Sequence, residues 1–213
     1  MFYRDSQNVY RARPLDSFAW LVHGFGTRHS PDLARHAELA TLRQIHSDIC
    51  RPARGRTGVL GEGDALLEST PGHLVGVKTA DCLPVLLVDE EHRAVAAVHA
   101  GWRGTVRGVV RAAVAKMREE FGTDPARLHA AIGPGIGKCC YEVGAEVAMQ
   151  FGEAGPCKID LAAANRAQLL DAGVAGPRIY VAGLCTMCGV DDFHSYRRDR
   201  ERAGRMLSVA GVK

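Results

Sequence analysis

Two short apolar runs, set almost end to end, constrain this chain most. Pro84-Val85-Leu86-Leu87-Val88 and Ala94-Val95-Ala96-Ala97-Val98 have Asp89-Glu90-Glu91-His92 lying between them. Their length and β-branched content favour strand over helix, and unbroken apolar character makes them buried strands. The acidic stretch reads as a hairpin connection, so the two runs should be antiparallel neighbours. Leu74-Val75-Gly76-Val77 and Ile179-Tyr180-Val181 read as further strands. Helical spacing appears next: Val106, Val109, Val110, Ala113, Val114 and Met117 predict one helix from about Thr105 to Glu120, stopped by Gly122. A second helix is expected over 143–151. A third is expected over 161–171, with Asp160 as its N-cap and Gly173 as its stop. Strands and helices mix without a βαβ rhythm. The expected class is therefore α+β, a single layered domain over residues 1–213 with mixed sheets flanked by helices.

Composition narrows the function classes. A 213-residue chain suits one domain, and 46% hydrophobic with 24% charged residues excludes a disordered chain. The net charge is only +3, which does not point to nucleic acid. No apolar stretch reaches the ~18 residues of a membrane helix, so no membrane partner is expected. Met1-Phe2-Tyr3-Arg4-Asp5 is charged early and no apolar segment follows it, so no secretory signal is expected. Seven cysteines are an odd number and argue against a disulfide scaffold. Reduced thiols in a cytoplasm are the expectation.

Several residues could carry chemistry. His99 ends an apolar strand and precedes Ala100-Gly101-Trp102-Arg103-Gly104. A strand end before a glycine turn is a rigid platform for a ligand or base; a satisfied core histidine is the alternative. Cys82, in Thr79-Ala80-Asp81-Cys82-Leu83-Pro84, can be a thiolate ligand, a nucleophile or core filler. His46, in Gln44-Ile45-His46-Ser47-Asp48, is weak on its own. Two imidazoles and one thiolate together match the protein half of a catalytic zinc site, whose fourth position is left to water. Asp81 is a candidate ligand-orienting group, acid or turn residue. Arg103 can grip phosphate in two places beside the N-terminus of the helix that follows. Ile132-Gly133-Pro134-Gly135-Ile136-Gly137-Lys138 can receive an anion on its backbone N–H groups and Lys138, or can simply pack closely. It is neither a P-loop nor a dinucleotide fingerprint. Arg197-Arg198 is a second basic locus or a solvated face. Cys185-Thr186-Met187-Cys188 is a CxxC without a second one: half a zinc clamp, a redox pair or coincidence. The H-x-E and P-C-x-x-C pairing of nucleobase deaminases is not met, because the nearest candidates are His46-Ser47-Asp48 and a CxxC preceded by Leu184. Adjacent Cys139-Cys140 reads as packing, since a vicinal bridge is strained.

Gln44-Ile45-His46, Gly63-Asp64-Ala65, Thr79-Ala80-Asp81-Cys82-Leu83-Pro84 and Val98-His99-Ala100-Gly101-Trp102-Arg103-Gly104 follow one another in the chain. Ile132-Gly133-Pro134, Cys140-Tyr141-Glu142-Val143-Gly144 and Ser195-Tyr196-Arg197-Arg198 come after them. In that order they resemble the YfiH-like family, long called laccase-domain or multicopper polyphenol oxidase proteins. The resemblance runs from about residue 20 to the end. It implies a layered α/β-type fold and a zinc site, with copper as the alternative metal, whose ligands map onto His46, Cys82 and His99. It also implies a purine nucleoside phosphorylase acting with phosphate on adenosine, inosine and methylthioadenosine, with adenosine deaminase activity. Copper oxidation of phenols and peptidoglycan precursor editing are attributed to some members, and a thiol hydrolase with Cys82 as nucleophile and His99 as base is a rival reading from another class. Arg103, Lys138 and Arg197 are the expected substrate contacts. The chain departs from the pattern early: Gly26-Thr27-Arg28-His29-Ser30 is followed soon by Leu42-Arg43-Gln44, where members carry a longer segment.

Overall fold

In the computed structural model, which describes residues 1–31, 33 and 38–213, two mixed sheets stack and helices cover the second sheet. The first sheet has seven strands. They are β1 (Phe2–Arg4), β2 (Tyr10–Ala12), β3 (Leu21–Phe25), β4 (Glu38–Arg43), β6 (Gly58–Glu62), β8 (His73–Thr79) and β15 (Met206–Val212). Their spatial order is β1-β2-β3-β15-β8-β4-β6. The second sheet has six: β5 (Cys50–Pro52), β7 (Ala65–Glu68), β9 (Leu83–Asp89), β10 (Ala94–Ala100), β11 (His129–Ile132) and β14 (Ile179–Val181), ordered β14-β11-β9-β10-β7-β5. A small ladder pairs β12 (Glu142–Val143) with β13 (Cys157–Lys158).

The expected hairpin is the centre of the second sheet. β9 and β10 run antiparallel, Ala94 opposite Asp89 and Ala100 opposite Leu83. The Asp89 carboxylate accepts the Glu91 and His92 N–H groups at 2.9 and 3.2 Å, which shapes the turn. The runs are apolar throughout because both faces are covered. Leu86, Val88, Val95 and Ala97 face the first sheet and pack among Phe25, Val75 and Val77. Val85, Leu87, Ala96 and Val98 face the helices, among Val110, Ala113 and Met117. Such strands lose the in–out alternation of a half-exposed sheet. The expected strands at 74–77 and 179–181 are parts of β8 and β14.

The helix expected over 105–120 is two helices. α1 (Trp102–Arg107) ends at Gly108, whose φ of +82° is left-handed, and α2 (Val109–Phe121) starts directly after it. The Gly108 N–H closes α1 on the Gly104 and Thr105 carbonyls. The apolar spacing of α2 continues across the break, so periodicity alone did not reveal it. The helix expected over 143–151 starts later, since Val143 is in β12: α3 covers Ala145–Ala148 and a 3-10 turn continues it over Met149–Phe151. α4 (Leu161–Asp171) has the expected bounds, with the Asp160 carboxylate accepting the Ala163 N–H at 2.8 Å. α5 (Tyr196–Asp199) is capped by Ser195. No helix among the described residues is long and apolar enough to cross a membrane.

Candidate active site

Antiparallel register brings distant residues to one end of the second sheet. Cys82 immediately precedes β9, and His99 lies opposite Pro84 near the end of β10. Asp64 immediately precedes β7, where its carbonyl accepts the His99 N–H at 2.7 Å. His46 arrives on the loop after β4 of the other sheet. One ligand atom each from His46, Cys82 and His99 lies within 4.8 Å of the other two. The two imidazoles meet edge to face with centroids 5.0 Å apart.

Asp64 organises this cluster and is fully buried. Its carboxylate accepts the Ser47 N–H and hydroxyl, both at 2.6 Å, and the His46 N–H at 3.1 Å. It also stands 2.7 Å from Nδ1 of His99. One carboxylate thus ties the His46 loop to the second sheet and leaves Nε2 of His99 as the nitrogen able to ligate. Burial opposes the charge on Asp64, but the hydrogen bonds from His99 and Ser47 prevail and hold its pKa down at about 2. Burial likewise opposes a thiolate at Cys82, yet the flanking His46 and His99 bring its pKa down to about 6. Against the cost of burial, Asp64 and Cys82 raise His99 to about 9. The site therefore favours the thiolate that a metal requires. A Cβ on Gly101 would stand 2.7 Å from Cys82 Sγ and 3.2 Å from the His46 ring, so glycine leaves the room that the donors occupy.

Two strained backbone positions lie here. His46 and Asp81 both have positive φ, +59° and +82°. The Asp81 carboxylate receives the Thr186 hydroxyl at 2.6 Å, the Ser195 hydroxyl at 3.1 Å and the Arg197 N–H at 2.6 Å. Both oxygens are occupied by protein donors. Asp81 consequently anchors the chain around 186–197 beside Cys82, which supports an orienting role over an acid.

The cluster opens into a cavity of about 720 Å³, within the range of small-molecule sites. Trp102, Tyr141 and Tyr196 give it flat apolar walls, while Lys78, Arg103, Arg197, Arg200 and Arg205 make it cationic. The Arg103 guanidinium lies 4.3 Å from the Trp102 ring centroid, and that of Arg197 lies 5.3 Å from Tyr141. Two sequence expectations are corrected. α1 has six residues, so it adds little dipole to the charge of Arg103 itself. The glycine-rich turn uses the N–H groups of residues 133–137 internally: Gly133 donates to Pro84, Gly135 to Leu184, Ile136 to the Asp81 carbonyl, and Gly137 to Cys185 Sγ. Its glycines are there for close packing, since a Cβ on Gly133 would meet the Phe25 ring at 2.2 Å. Lys138 is exposed and lies outside the cavity lining. Arg198 turns away to the carbonyls of Thr186, Met187 and Phe193. In the sequence Asp64 stands out only within Gly63-Asp64-Ala65, one of the segments of the family resemblance. Its signal was available, because a metal-bound histidine needs a partner on its other nitrogen. The remote cations Lys78, Arg200 and Arg205 carried no such signal.

Fold and pocket together define a layered α/β protein built round a two-histidine, one-cysteine donor set. Residues 28–213 match the family model described as multi-copper polyphenol oxidoreductase laccase, and the chain belongs to that family. A protein of Deinococcus radiodurans named purine nucleoside phosphorylase is 42% identical over 185 residues, 82% of this chain and 70% of that one. One named adenosine deaminase, from an unknown prokaryotic organism, is 41% identical over 196 residues, 80% of this chain and 74% of that one. The crystal structure of Bacillus licheniformis YfiH superposes with a TM-score of 0.90 at 25% identity, covering 100% of this chain and 99% of the other. The YfiH-like resemblance and the α+β layering expected from sequence are thereby borne out.

Proposed function

We propose that this chain is a zinc-dependent purine nucleoside phosphorylase, acting on adenosine, inosine and methylthioadenosine and also deaminating adenosine. The observation that carries the reading is the placement of the His46–Cys82–His99 donors on a cavity whose walls are aromatic and guanidinium. Two nitrogens and one sulfur within a few ångströms, with one side open to the cavity, fit a borderline-soft ion such as zinc. Bound there, zinc supplies a Lewis acid and a means of activating water. In phosphorolysis, a phosphate oxygen bonds to the ribose anomeric carbon as the glycosidic bond breaks, giving ribose-1-phosphate and free purine. Arg103 and Arg197 hold and orient the phosphate, whose charge needs bidentate donors in a partly enclosed site. Trp102 and Tyr141 offer ring faces against which a purine can stack. Asp64 holds His99, and Asp81 holds the segment that carries Arg197.

The names of the relatives support this reading. Among the described residues only one three-member His/Cys/acid cluster contains histidine, whereas a multicopper oxidase requires several histidine-rich centres. A second reading has one observation in its favour: Cys82, His99 and Asp64 line up as nucleophile, base and orienter of a thiol hydrolase. His46 argues against it, because a second imidazole on the same sulfur serves a metal and not a triad. The deciding experiment incubates purified protein with inosine and inorganic phosphate. Ribose-1-phosphate appearing in step with hypoxanthine, and lost on chelation, is the expected result. No product from zinc-loaded protein, or turnover that survives chelation but not thiol alkylation, would overturn the proposal.

A further inference from the structure

Four of the cysteines that the active site does not use meet at one point. Cys139, Cys140, Cys185 and Cys188 each place a sulfur within 4.8 Å of the other three. Cys188 Sγ is 3.7 Å from that of Cys139 and 3.4 Å from that of Cys140. All four are free thiols. Four thiolates on a tetrahedral zinc, each at ~2.3 Å, are about 3.8 Å apart. The observed spacing matches that arrangement and is far from the ~2.05 Å of a disulfide.

We propose that Cys139, Cys140, Cys185 and Cys188 form a second metal site, structural in role, that takes zinc. The CxxC of residues 185–188 is one half of the clamp. The other half is the adjacent pair Cys139-Cys140, which is why no second CxxC exists in the sequence. Both halves sit on shaped backbone. The Cys140 and Tyr141 N–H groups donate to the Gly137 carbonyl, at 2.9 and 3.0 Å, and fold the first turn. The Gly189 N–H donates to the Cys185 carbonyl at 2.9 Å and folds the second. Gly135 joins the two turns, donating to Leu184 and accepting from Thr186. The Gly137 N–H points at Cys185 Sγ, 3.2 Å away, as a donor to a ligating sulfur should. A Cβ on Gly137 would lie 3.2 Å from Cys139 Sγ and 3.1 Å from Cys185 Cβ, so glycine keeps the space between the sulfurs clear. Zinc held by four thiolates is an anion overall, and the exposed Lys138 and the Arg198 guanidinium on the Thr186 and Met187 carbonyls provide nearby positive charge. Binding exchanges one proton for a zinc–sulfur bond at each thiol, with no redox change.

Its effect would reach the cavity. Tyr141 follows Cys140 and lines the cavity wall, and Thr186, inside the CxxC, donates to Asp81 beside Cys82. The metal would thus pin two segments that otherwise rely on short turns. All four donors close the coordination sphere, which is the mark of a structural zinc and not a catalytic one.

The test is metal content and zinc X-ray absorption on the full chain, and it uses no nucleoside assay. Wild-type protein should carry about two zinc per chain. Cys82→Ala, which breaks the histidine-containing site, should retain about one, with an all-sulfur shell at ~2.3 Å. Cys188→Ser should lose that zinc and keep the other. Cys82→Ala protein that takes up no zinc from excess zinc salt, or whose zinc shows nitrogen ligands, would overturn the proposal. So would thiol titration finding these four cysteines paired as disulfides. If Cys82→Ala does not fold, the wild-type count decides: one zinc in a mixed nitrogen and sulfur shell contradicts the second site.

Discussion

Asp64 joins the two halves of the candidate site. It holds His99 by one ring nitrogen and the His46 loop by backbone N–H groups, from a fully buried position. Asp64→Asn keeps the shape but exchanges a carboxylate for an amide. Loss of such a partner typically costs 10–100-fold in metal affinity. Competition with a chromophoric chelator should show that loss for the site containing Cys82, while unchanged affinity would assign Asp64 a purely structural role. At this scale His99 and Cys82 were legible as candidates because each borders an apolar strand, whereas His46 stood out only beside them and through the family resemblance. Their convergence was not, since it depends on register between β9 and β10 and on a loop from the other sheet. Lys138 shows the converse: a lysine in a glycine-rich turn reads as an anion contact, but the glycine N–H groups before it are bonded within the protein and its side chain lies outside the cavity lining.

Among the elements, α1 and α2 show how a glycine can override periodicity. Gly108 closes α1 in a left-handed conformation, and α4 pins the same end by the Gln168 side chain, which donates to the Thr105 carbonyl at 2.7 Å. The break lets α1 present Trp102 and Arg103 to the cavity while α2 lies on the second sheet. Gly108→Ala should destabilise the fold by about 1–2 kcal/mol through left-handed strain. Urea unfolding would measure it, and a stability gain would mean the two helices prefer to be one. The β9–β10 hairpin was legible because burial on both faces makes its runs apolar throughout. Strands of the first sheet such as β1, β2 and β6 were not, being short, partly exposed and defined by distant pairing.

Across the whole molecule, the buried His23 makes stability depend on pH. It lies on β3, its Nε2 accepts the Ala12 N–H at 3.2 Å, and burial followed by the charge of Arg11 lowers its pKa to about 4. The unfolded chain takes the proton near pH 6.5, whereas the folded chain resists it until about 4. Stability from this residue is therefore complete above pH 6.5 and lost as the pH falls towards 4. At pH 5 the loss is about 2 kcal/mol. His23→Asn keeps an acceptor and should flatten the unfolding free energy between pH 7 and 5 by that amount; an unchanged slope would refute the assignment. The stacking of the two sheets also brings the β4 loop over the end of the second sheet, and that assembly makes the site. The most direct measurement is anomalous diffraction at the zinc edge from crystals of active protein. A peak is expected about 2.0–2.3 Å from a nitrogen of His46, Cys82 Sγ and Nε2 of His99. Active crystals with no peak among those three side chains would contradict it.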